Sequence, residues 1–278
     1  MRPSLTPQPL NSRGTFNERL KAALVALTLP GALGAQASSV PSDTLLEGIT
    51  ARGRLLAAYD RAAWRATDAF MALRPDLTVA NTMVARQEVD GRWSVLFGRL
   101  SETADTLYLM YEAVPAERPD SFVIRTHAPA TPLTGAACLA GAALHAALAD
   151  FGTPERPYNS YVLPRADSSF WVYFLPAQTD RATFPHGADT RYWIAADGHR
   201  ILDKHPMHRA LLNLALPDRA VSGLHTVLVD DVPQDSDVFL VLVRRPRRPE
   251  LIATAHYNYH IAEDGSITWR WADRSRDR

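Results

Sequence analysis

The sequence predicts an α+β fold in which amphipathic helices pack on antiparallel, meander-type β-sheets. Residues 43–73 repeat apolar side chains at helical spacing. The later segments alternate apolar and polar residues between turn signals, as strands do. The pattern Tyr-x-Ile-Ala-x-Asp-Gly occurs twice, in YWIAADG and YHIAEDG, and each copy indicates a hairpin turn. With 278 residues, of which 46% are hydrophobic and 22% charged, the chain is long enough to bury a sizeable core.

Residues 1–37 predict a signal peptide. Arg13, Arg19 and Lys21 form a basic flank before the apolar stretch AALVALTLPGALGA, and small residues precede Ser38. We therefore expect a secreted or periplasmic protein. We expect no lipid anchor, because no cysteine lies near the cleavage point, and no membrane span, because no apolar run reaches about 18–20 residues.

The charge balance argues against a nucleic-acid partner. Without the leader, 30 basic and 30 acidic residues become 26 and 29, because the leader holds four basic residues and one acidic residue. A basic stripe with interleaved aromatic residues is missing from the sequence. Cys138 is the single cysteine, so an internal disulfide is impossible, and its apolar helical context predicts a small buried side chain.

The first predicted unit covers residues 38–118. It starts with one long amphipathic helix over residues 43–73, in which Gly53 is a candidate for a kink. Three antiparallel strands follow, the first two joined by a turn at Asp90-Gly91. The segment AERPDSF then interrupts the alternation and ends the unit.

The second predicted unit covers residues 119–278. A small-residue helix over 134–151 precedes a hairpin that turns at 166–169 and a further strand, TRYWIAAD. This order repeats that of the first unit. The repeated order has two possible explanations, a duplicated helix-plus-three-strand unit and an accidental likeness of layout, and both remain open. Whether the two units form one compact domain or two domains also remains open.

The end of the chain predicts a short helix and an antiparallel meander. His205-Pro206 has the pattern of a helix start, because proline is favoured at the first helical position. The strands predicted after it are LHTVLVDD, DVFLVLVRR, ELIATAHYNYHIA and SITWRW.

Several well-known catalytic signatures are missing from the sequence. It contains no Gly-x-Ser-x-Gly elbow, no phosphate-binding Gly-x-x-x-x-Gly-Lys, no His-Glu-x-x-His and no Cys-x-x-Cys pair. These absences argue against the easily recognised serine hydrolases, nucleotide enzymes, zincins and thiol redox proteins. Enzymes whose site residues are scattered along the chain remain possible.

His208 and His225 are the candidate catalytic residues. His208 lies in the first turn of the predicted helix, where the charged imidazole is disfavoured and the neutral form can act as base or ligand. His225 lies on a strand that is apolar on both faces, which predicts a central strand and a buried imidazole. A core histidine satisfied by a carboxylate or carbonyl explains the same pattern.

His256, Asn258, His260 and Asp231 are the candidate ligand-binding residues. The first three share one face of a predicted strand, since side chains alternate at period two. His256 and His260 are about 13 Å apart along such a strand, too far to hold one ion together. The tight ligand spacing of a metal motif is missing, so the sequence predicts no metal and no cofactor.

The function expected from these patterns is an exported, non-catalytic protein that binds a small molecule, a peptide or another protein. The alternative is a secreted metal- or histidine-dependent hydrolase centred on His208 and His225. A third hypothesis is a purely structural protein of the envelope. Whether the chain is an enzyme stays open at this point.

Overall fold

A computed structural model describes residues 40–180, 182–215 and 219–272. Within these ranges the chain forms three helices and fourteen strands, arranged as an α+β fold dominated by antiparallel sheets. This confirms the predicted fold class. The predicted signal peptide lies outside the described residues. None of the described helices has the length and apolar character needed to cross a bilayer.

The first part of the chain folds into one helix and one antiparallel sheet. Ser42 caps the helix, because its side chain accepts a hydrogen bond of 3.2 Å from Leu45 N. The Tyr59 hydroxyl, buried under this helix, accepts a 3.0 Å hydrogen bond from Ala85 N. The elements are α1 (Asp43–Met71), β1 (Thr82–Gln87), β2 (Trp93–Leu100), β3 (Leu107–Pro115) and β4 (Phe122–Leu133), with the strands in the order β1-β2-β3-β4.

Strand β4 is an element that the sequence analysis does not predict. Ala116 N donates to Ser121 O (2.9 Å), which closes the turn after β3, and β4 pairs with β3 along its length. Pro129 and Pro132 mask the strand pattern, but they are tolerated because β4 lies at the edge of the sheet. The boundary drawn between residues 118 and 119 therefore falls inside the β3–β4 hairpin.

The middle of the chain repeats the helix-then-sheet order and adds a two-stranded sheet. Helix α2 packs on the larger sheet through a second core cluster that includes Ala143, Val172 and Tyr192. The elements are α2 (Ala136–Phe151), β5 (Tyr158–Pro164), β6 (Phe170–Pro176), β7 (Thr183–Gly187), β8 (Thr190–Ile194), β9 (Ile201–Pro206) and β10 (Leu211–Ala215). The larger sheet has the order β5-β6-β8-β9, and β7 pairs with β10 antiparallel.

The last part of the chain is a four-stranded sheet interrupted by a helix. Its elements are β11 (Gly223–Thr226), α3 (Asp235–Val243), β12 (Glu250–Ala253), β13 (Tyr257–Ile261) and β14 (Ile267–Trp271). The strand order is β11-β12-β13-β14. Strand β11 runs parallel to β12, since α3 carries the chain back across the sheet between them, and the later pairs are antiparallel.

The Asp-Gly turns of the two Tyr-x-Ile-Ala-x-Asp-Gly segments take the predicted form. Gly198 and Gly265 adopt positive φ angles of 74° and 84°, which a tight hairpin turn requires. Asp197 Oδ1 accepts from His199 N, and Asp264 Oδ1 accepts from Ser266 N. The first turn joins β8 to β9 and the second joins β13 to β14.

The helix predicted at His205-Pro206 is wrong. These two residues end strand β9, and residues 207–210 lead directly into β10. Thr190 pairs with Pro206 at the sheet edge, so the proline sits where a missing N–H is harmless. Proline at a strand end and proline at a helix start share the same sequence pattern.

The strand predicted at DVFLVLVRR is also wrong, because this segment is helix α3. Asp235 to Leu242 are all buried, so the helix is apolar on nearly every side and lacks the amphipathic period. A short apolar run of this kind cannot be told from a buried strand by periodicity. The helix also makes β11 an edge strand parallel to β12, which corrects the predicted central position of His225 and the predicted antiparallel meander.

The strand predicted over ELIATAHYNYHIA divides into β12 and β13. Thr254 N donates to Tyr257 O (2.9 Å), so residues 254–257 form a turn that places His256 outside either strand. Asn258 and His260 remain together on one face of β13.

Gly53 lies where α1 and α3 approach closely. Helix α1 continues through this residue, so the predicted kink is replaced by a packing contact. A Cβ atom at Gly53 would clash with the Val238 side chain and would lie 2.9 Å from Asp235 O. The absence of a side chain here lets the first turn of α3 rest on α1.

We predict that Gly53→Ala lowers the free energy of unfolding by about 1–3 kcal/mol, because the added methyl group overpacks the α1–α3 contact. Urea unfolding followed by circular dichroism measures the change. Gly48→Ala is the matched control on the same helix: its Cβ meets only the flexible end of Arg52, at 3.2 Å. There the higher helix propensity of alanine is expected to add up to about 1 kcal/mol. Equal effects at the two positions would contradict the packing explanation.

Candidate metal centre

Three histidines and one aspartate meet in the interior of the C-terminal half of the chain. They are His186, His208, His225 and Asp237, and all four are buried. Each offers one ligand-type atom, and these four atoms lie within 4.8 Å of one another. The centroid of the His186 ring lies 4.7 Å from that of His208 and 4.7 Å from that of His225.

The pairing of β7 with β10 brings His186 and His208 together. His186 is the penultimate residue of β7, and His208 lies in the connection just before β10. Gly187 has a φ of 84°, and a Cβ there would overlap the carbonyl oxygen of Ala210. Glycine at this position therefore permits the close approach of the two backbones that sets the imidazoles side by side.

Asp237 enters the cluster from the first turn of α3. Its Oδ2 accepts a hydrogen bond of 2.6 Å from Gln234 N, which caps the helix, and its Oδ1 faces the histidines. A carboxylate is also favoured at a helix N-terminus, where the helix dipole is positive. The two oxygens are thus divided between the helix and the cluster.

A second carboxylate of the same turn anchors α3 to the rest of the fold. Asp235 is fully buried and accepts hydrogen bonds from Arg52 of α1, Arg191 of β8 and the Tyr173 hydroxyl, at 2.7–2.9 Å. These contacts fix the start of α3, and therefore Asp237, relative to α1 and to the sheet that contains β8. The pKa of Tyr173 lies well above its ordinary value, since burial and the neighbouring Asp235 both disfavour the phenolate.

Three imidazole nitrogens converge on one carboxylate oxygen. The Nε2 atoms of His186, His208 and His225 lie 2.9, 3.2 and 3.0 Å from Asp237 Oδ1. The contact of His208 is close but not aligned as a hydrogen bond, so His208 Nε2 is a buried nitrogen without a hydrogen-bond partner in the described structure. One oxygen therefore serves as the common neighbour of the whole cluster.

The outer nitrogens of two of these rings are held by further buried carboxylates. His208 Nδ1 lies 2.9 Å from Asp189 Oδ1, and His225 Nδ1 lies 2.9 Å from Glu250 Oε1. Arg244, at the C-terminal end of α3, donates to Glu250 Oε2 at 2.6 Å. This is the arrangement of carboxylates behind ligand histidines that orients the rings in metal sites.

These contacts determine which nitrogen carries the proton in a neutral ring. Asp189 and Glu250 only accept hydrogen bonds, so the Nδ1 atoms of His208 and His225 must donate. Each Nε2 is then left with a lone pair that points toward Asp237 Oδ1, another acceptor. Such an arrangement requires either a second proton on each ring or a cation between the rings and the carboxylate.

The surrounding charges favour extra protons when the cation is absent. Burial lowers the pKa of His208, but Asp237 and Asp189 outweigh it and raise that pKa to about 10. Burial also lowers the pKa of His225, but Asp237 and Glu250 outweigh it and raise that pKa to about 9. Burial lowers the pKa of His186. Burial raises the pKa of Asp237, but the three neighbouring histidines outweigh it and hold that pKa well below its usual range.

The donor set also fits a transition-metal ion. Zinc takes four ligands at about 2.0–2.2 Å in a tetrahedron, which separates neighbouring ligand atoms by about 3.3 Å. The three distances between nitrogen and Asp237 Oδ1, 2.9–3.2 Å, are close to that separation. The four ligand atoms as a set lie within 4.8 Å of one another, so the imidazoles would have to draw together around an ion. Three imidazoles and a carboxylate are ligands that suit zinc and other first-row metals.

Access to the cluster is narrow. A crevice of about 20 Å³ borders it and is lined by His186, Asp189, Ser236 and apolar residues that include Phe184 and Phe239. This volume holds about one water molecule. Small-molecule sites are usually some 300–1,000 Å³, so the crevice can admit water or an ion and no larger substrate.

The structure unites two of the residues that the sequence singled out and separates the others. His208 and His225 meet in this cluster, with ring centroids 5.9 Å apart. His256 instead contacts Asp231, with 2.7 Å between Nδ1 and Oδ2, at the turn before β13. Asn258 and His260 lie on the outer face of the C-terminal sheet.

Sequence reasoning missed His186 and Asp237. His186 stands alone between Pro185 and Gly187, in a strand too short to give a pattern. Asp237 ends the acidic segment DDVPQDSD and lies at the start of the predicted strand DVFLVLVRR. Its spacing from Gln234 was a usable signal, since a polar side chain three residues after a cap marks a helix start.

Comparison of the chain with models of known protein families, with curated proteins and with solved structures gives no match.

Proposed function

We propose that this protein binds one zinc ion through His186, His208, His225 and Asp237, and that the ion stabilises the fold. The observation that carries the proposal is the buried lone-pair conflict. Two imidazoles, each held by a carboxylate on its outer side, turn their inner nitrogens toward a third carboxylate. A cation placed among these atoms converts the repulsion into ligation.

The local charge favours a divalent ion. Asp189, Asp237 and Glu250 contribute three negative charges, and Arg244 contributes one positive charge, so the buried group carries minus two when the imidazoles are neutral. One divalent cation cancels that charge and takes the place of the extra protons that His208 and His225 hold when the ion is absent, so zinc binding would release protons. Imidazole ligands favour zinc over magnesium or calcium, which prefer oxygen ligands.

A structural role fits the site better than a catalytic one. Catalytic zinc sites keep one position open for water or substrate, whereas structural sites are filled by four protein ligands. Here four side chains supply the ligands, and the crevice beside them is too small for a substrate. The metal-dependent form of the alternative expectation, a hydrolase centred on His208 and His225, requires an open coordination position that this ligand set does not offer.

The proposal includes export and a non-catalytic binding role. The leader pattern at residues 1–37 supports secretion or periplasmic localisation. Exported proteins are commonly cross-linked by disulfides, which a chain with only Cys138 cannot form internally. A zinc ion held by four separate segments would supply a cross-link of another kind.

We predict about one zinc ion per chain in the purified mature protein, measured by mass spectrometry of metals. Removing the ion with a chelator is expected to lower Tm by roughly 10 °C. This follows because a ligand at a thousand times its Kd adds about 4 kcal/mol to stability, and about 1 kcal/mol shifts Tm by 2–4 °C in a domain of this size.

The variants Asp237→Asn and His225→Gln should lose the ion, while His256→Gln is the matched control and should keep it. His256 also pairs with a carboxylate, but it lies outside the cluster. Wild-type protein that remains metal-free after exposure to one equivalent of zinc, with an unchanged Tm, would exclude the proposal.

We further predict that Glu250→Gln and Asp189→Asn weaken zinc binding by about 10–100-fold, because each removes the carboxylate that orients a ligand ring. Competition with a chromophoric chelator measures the affinity. Asp231→Asn provides the control, since Asp231 makes the same kind of contact with His256. An equal loss in all three variants would point to general destabilisation.

A further inference from the structure

The outer face of the C-terminal sheet forms a shallow groove of about 430 Å³. Its lining includes outward-facing side chains that the strand register places in two neighbouring rows. One row crosses all four strands, from β11 to β14, and consists of Leu224, Leu251, His260 and Thr268; in the next row Asn258 of β13 lies beside Arg270 of β14. A volume of this size matches a small-molecule site.

The groove is apolar at one end and polar at the other. Leu224 and Leu251, on β11 and β12, are 68% and 40% exposed, so they offer an apolar surface to a ligand. His260, Asn258 and Arg270, on β13 and β14, offer hydrogen-bond donors at the other end. A matching ligand would combine an apolar chain with a polar head.

The charge of the groove selects the kind of head group. Its lining contains no carboxylate, and Arg270 makes no ion pair with any residue that the structure describes. A guanidinium presents a planar fork that matches a carboxylate bidentately. The imidazole of His260 and the amide of Asn258, on the neighbouring strand, can donate to the same anion.

The apolar end of the groove is built on the strands that carry the proposed zinc site. His225 lies between Leu224 and Thr226 on β11, and Glu250 precedes Leu251 on β12. Because side chains alternate along a strand, the side chains of the proposed zinc site point to the inner face of these strands, and the leucines point to the outer face of the same strands. Zinc would therefore hold the edge strand β11 in its place in the groove.

We propose that this groove binds a small organic anion with an apolar tail, such as a medium-chain monocarboxylate. Arg270 pairs with the carboxylate, and the tail lies on Leu224 and Leu251. The need for zinc rests on the proposed function. The anion site itself rests on the groove, so the two ideas can fail separately.

Isothermal titration of the mature, full-length protein with decanoate tests the proposal, with the zinc content measured in the same samples. We expect saturable binding at one site, weakened about tenfold or more by Arg270→Gln, because a hydrogen bond to a charged group is lost. Leu224→Ser should weaken decanoate binding without changing the zinc content. The control Arg200→Gln removes another exposed arginine, next to the equivalent Asp-Gly turn, and should bind normally.

Decyltrimethylammonium, a cation with the same tail, should bind far more weakly than decanoate. Zinc-loaded protein that does not bind decanoate, or that binds it equally well after Arg270→Gln, overturns the groove proposal and leaves the zinc site standing. Zinc-free protein that still binds decanoate in an Arg270-dependent way supports the groove and shows that the groove does not need zinc. Failure of the proposed function has a different readout, namely protein that takes up no zinc and keeps the same Tm after exposure to it. Self-association that Leu224→Ser abolishes, without decanoate binding, assigns the face to a second copy of the chain and overturns the proposal.

Discussion

The C-terminal half of this protein depends on one buried carboxylate oxygen, Asp237 Oδ1, which faces three imidazole nitrogens within 3.2 Å. Burying an anion without compensation costs several kcal/mol. Here the compensation comes from groups on β7, on the connection before β10 and on β11. These segments must therefore come together for Asp237 to be tolerated in the interior.

Helix α3 is the element that organises this compensation. Its first turn supplies Asp237 to the histidines and Asp235 to Arg52 and Arg191, while its last residues place Arg244 on Glu250. Both ends of a nine-residue helix thus hold charged partners, and its middle is apolar and buried. The helix joins the three parts of the fold through polar contacts at its ends and apolar packing between them.

The sequence allowed the fold class, α1, α2 and the Asp-Gly hairpins to be predicted, because the amphipathic period of α1, the run of small residues in α2 and the turn residues are local signals. Helix α3 and strand β4 escaped prediction. One is buried on all sides, and the other is an edge strand interrupted by prolines. In both cases tertiary position overrides the local pattern.

Two of the four residues of the candidate metal centre were singled out from the sequence, as candidate catalytic residues and without a metal. His208 and His225 stood out as a close pair in the sequence, and His225 is buried as expected. Their meeting with His186 and Asp237 depends on the β7–β10 pairing and on the course of α3, and neither leaves a trace in the spacing of the ligands. A site assembled from strand edges and a helix start is therefore hard to recognise without the fold.

The spread of these four residues also has a consequence for the order of folding. His186 and Asp237 lie at the ends of a 52-residue stretch, and α3 is seated by Arg52, far earlier in the chain. Contacts between such distant residues require the closure of long loops, so they form late and slowly. An unfolded chain offers no preformed cage to an ion. If the centre binds zinc as proposed, metal loading is then the last step of folding rather than its start.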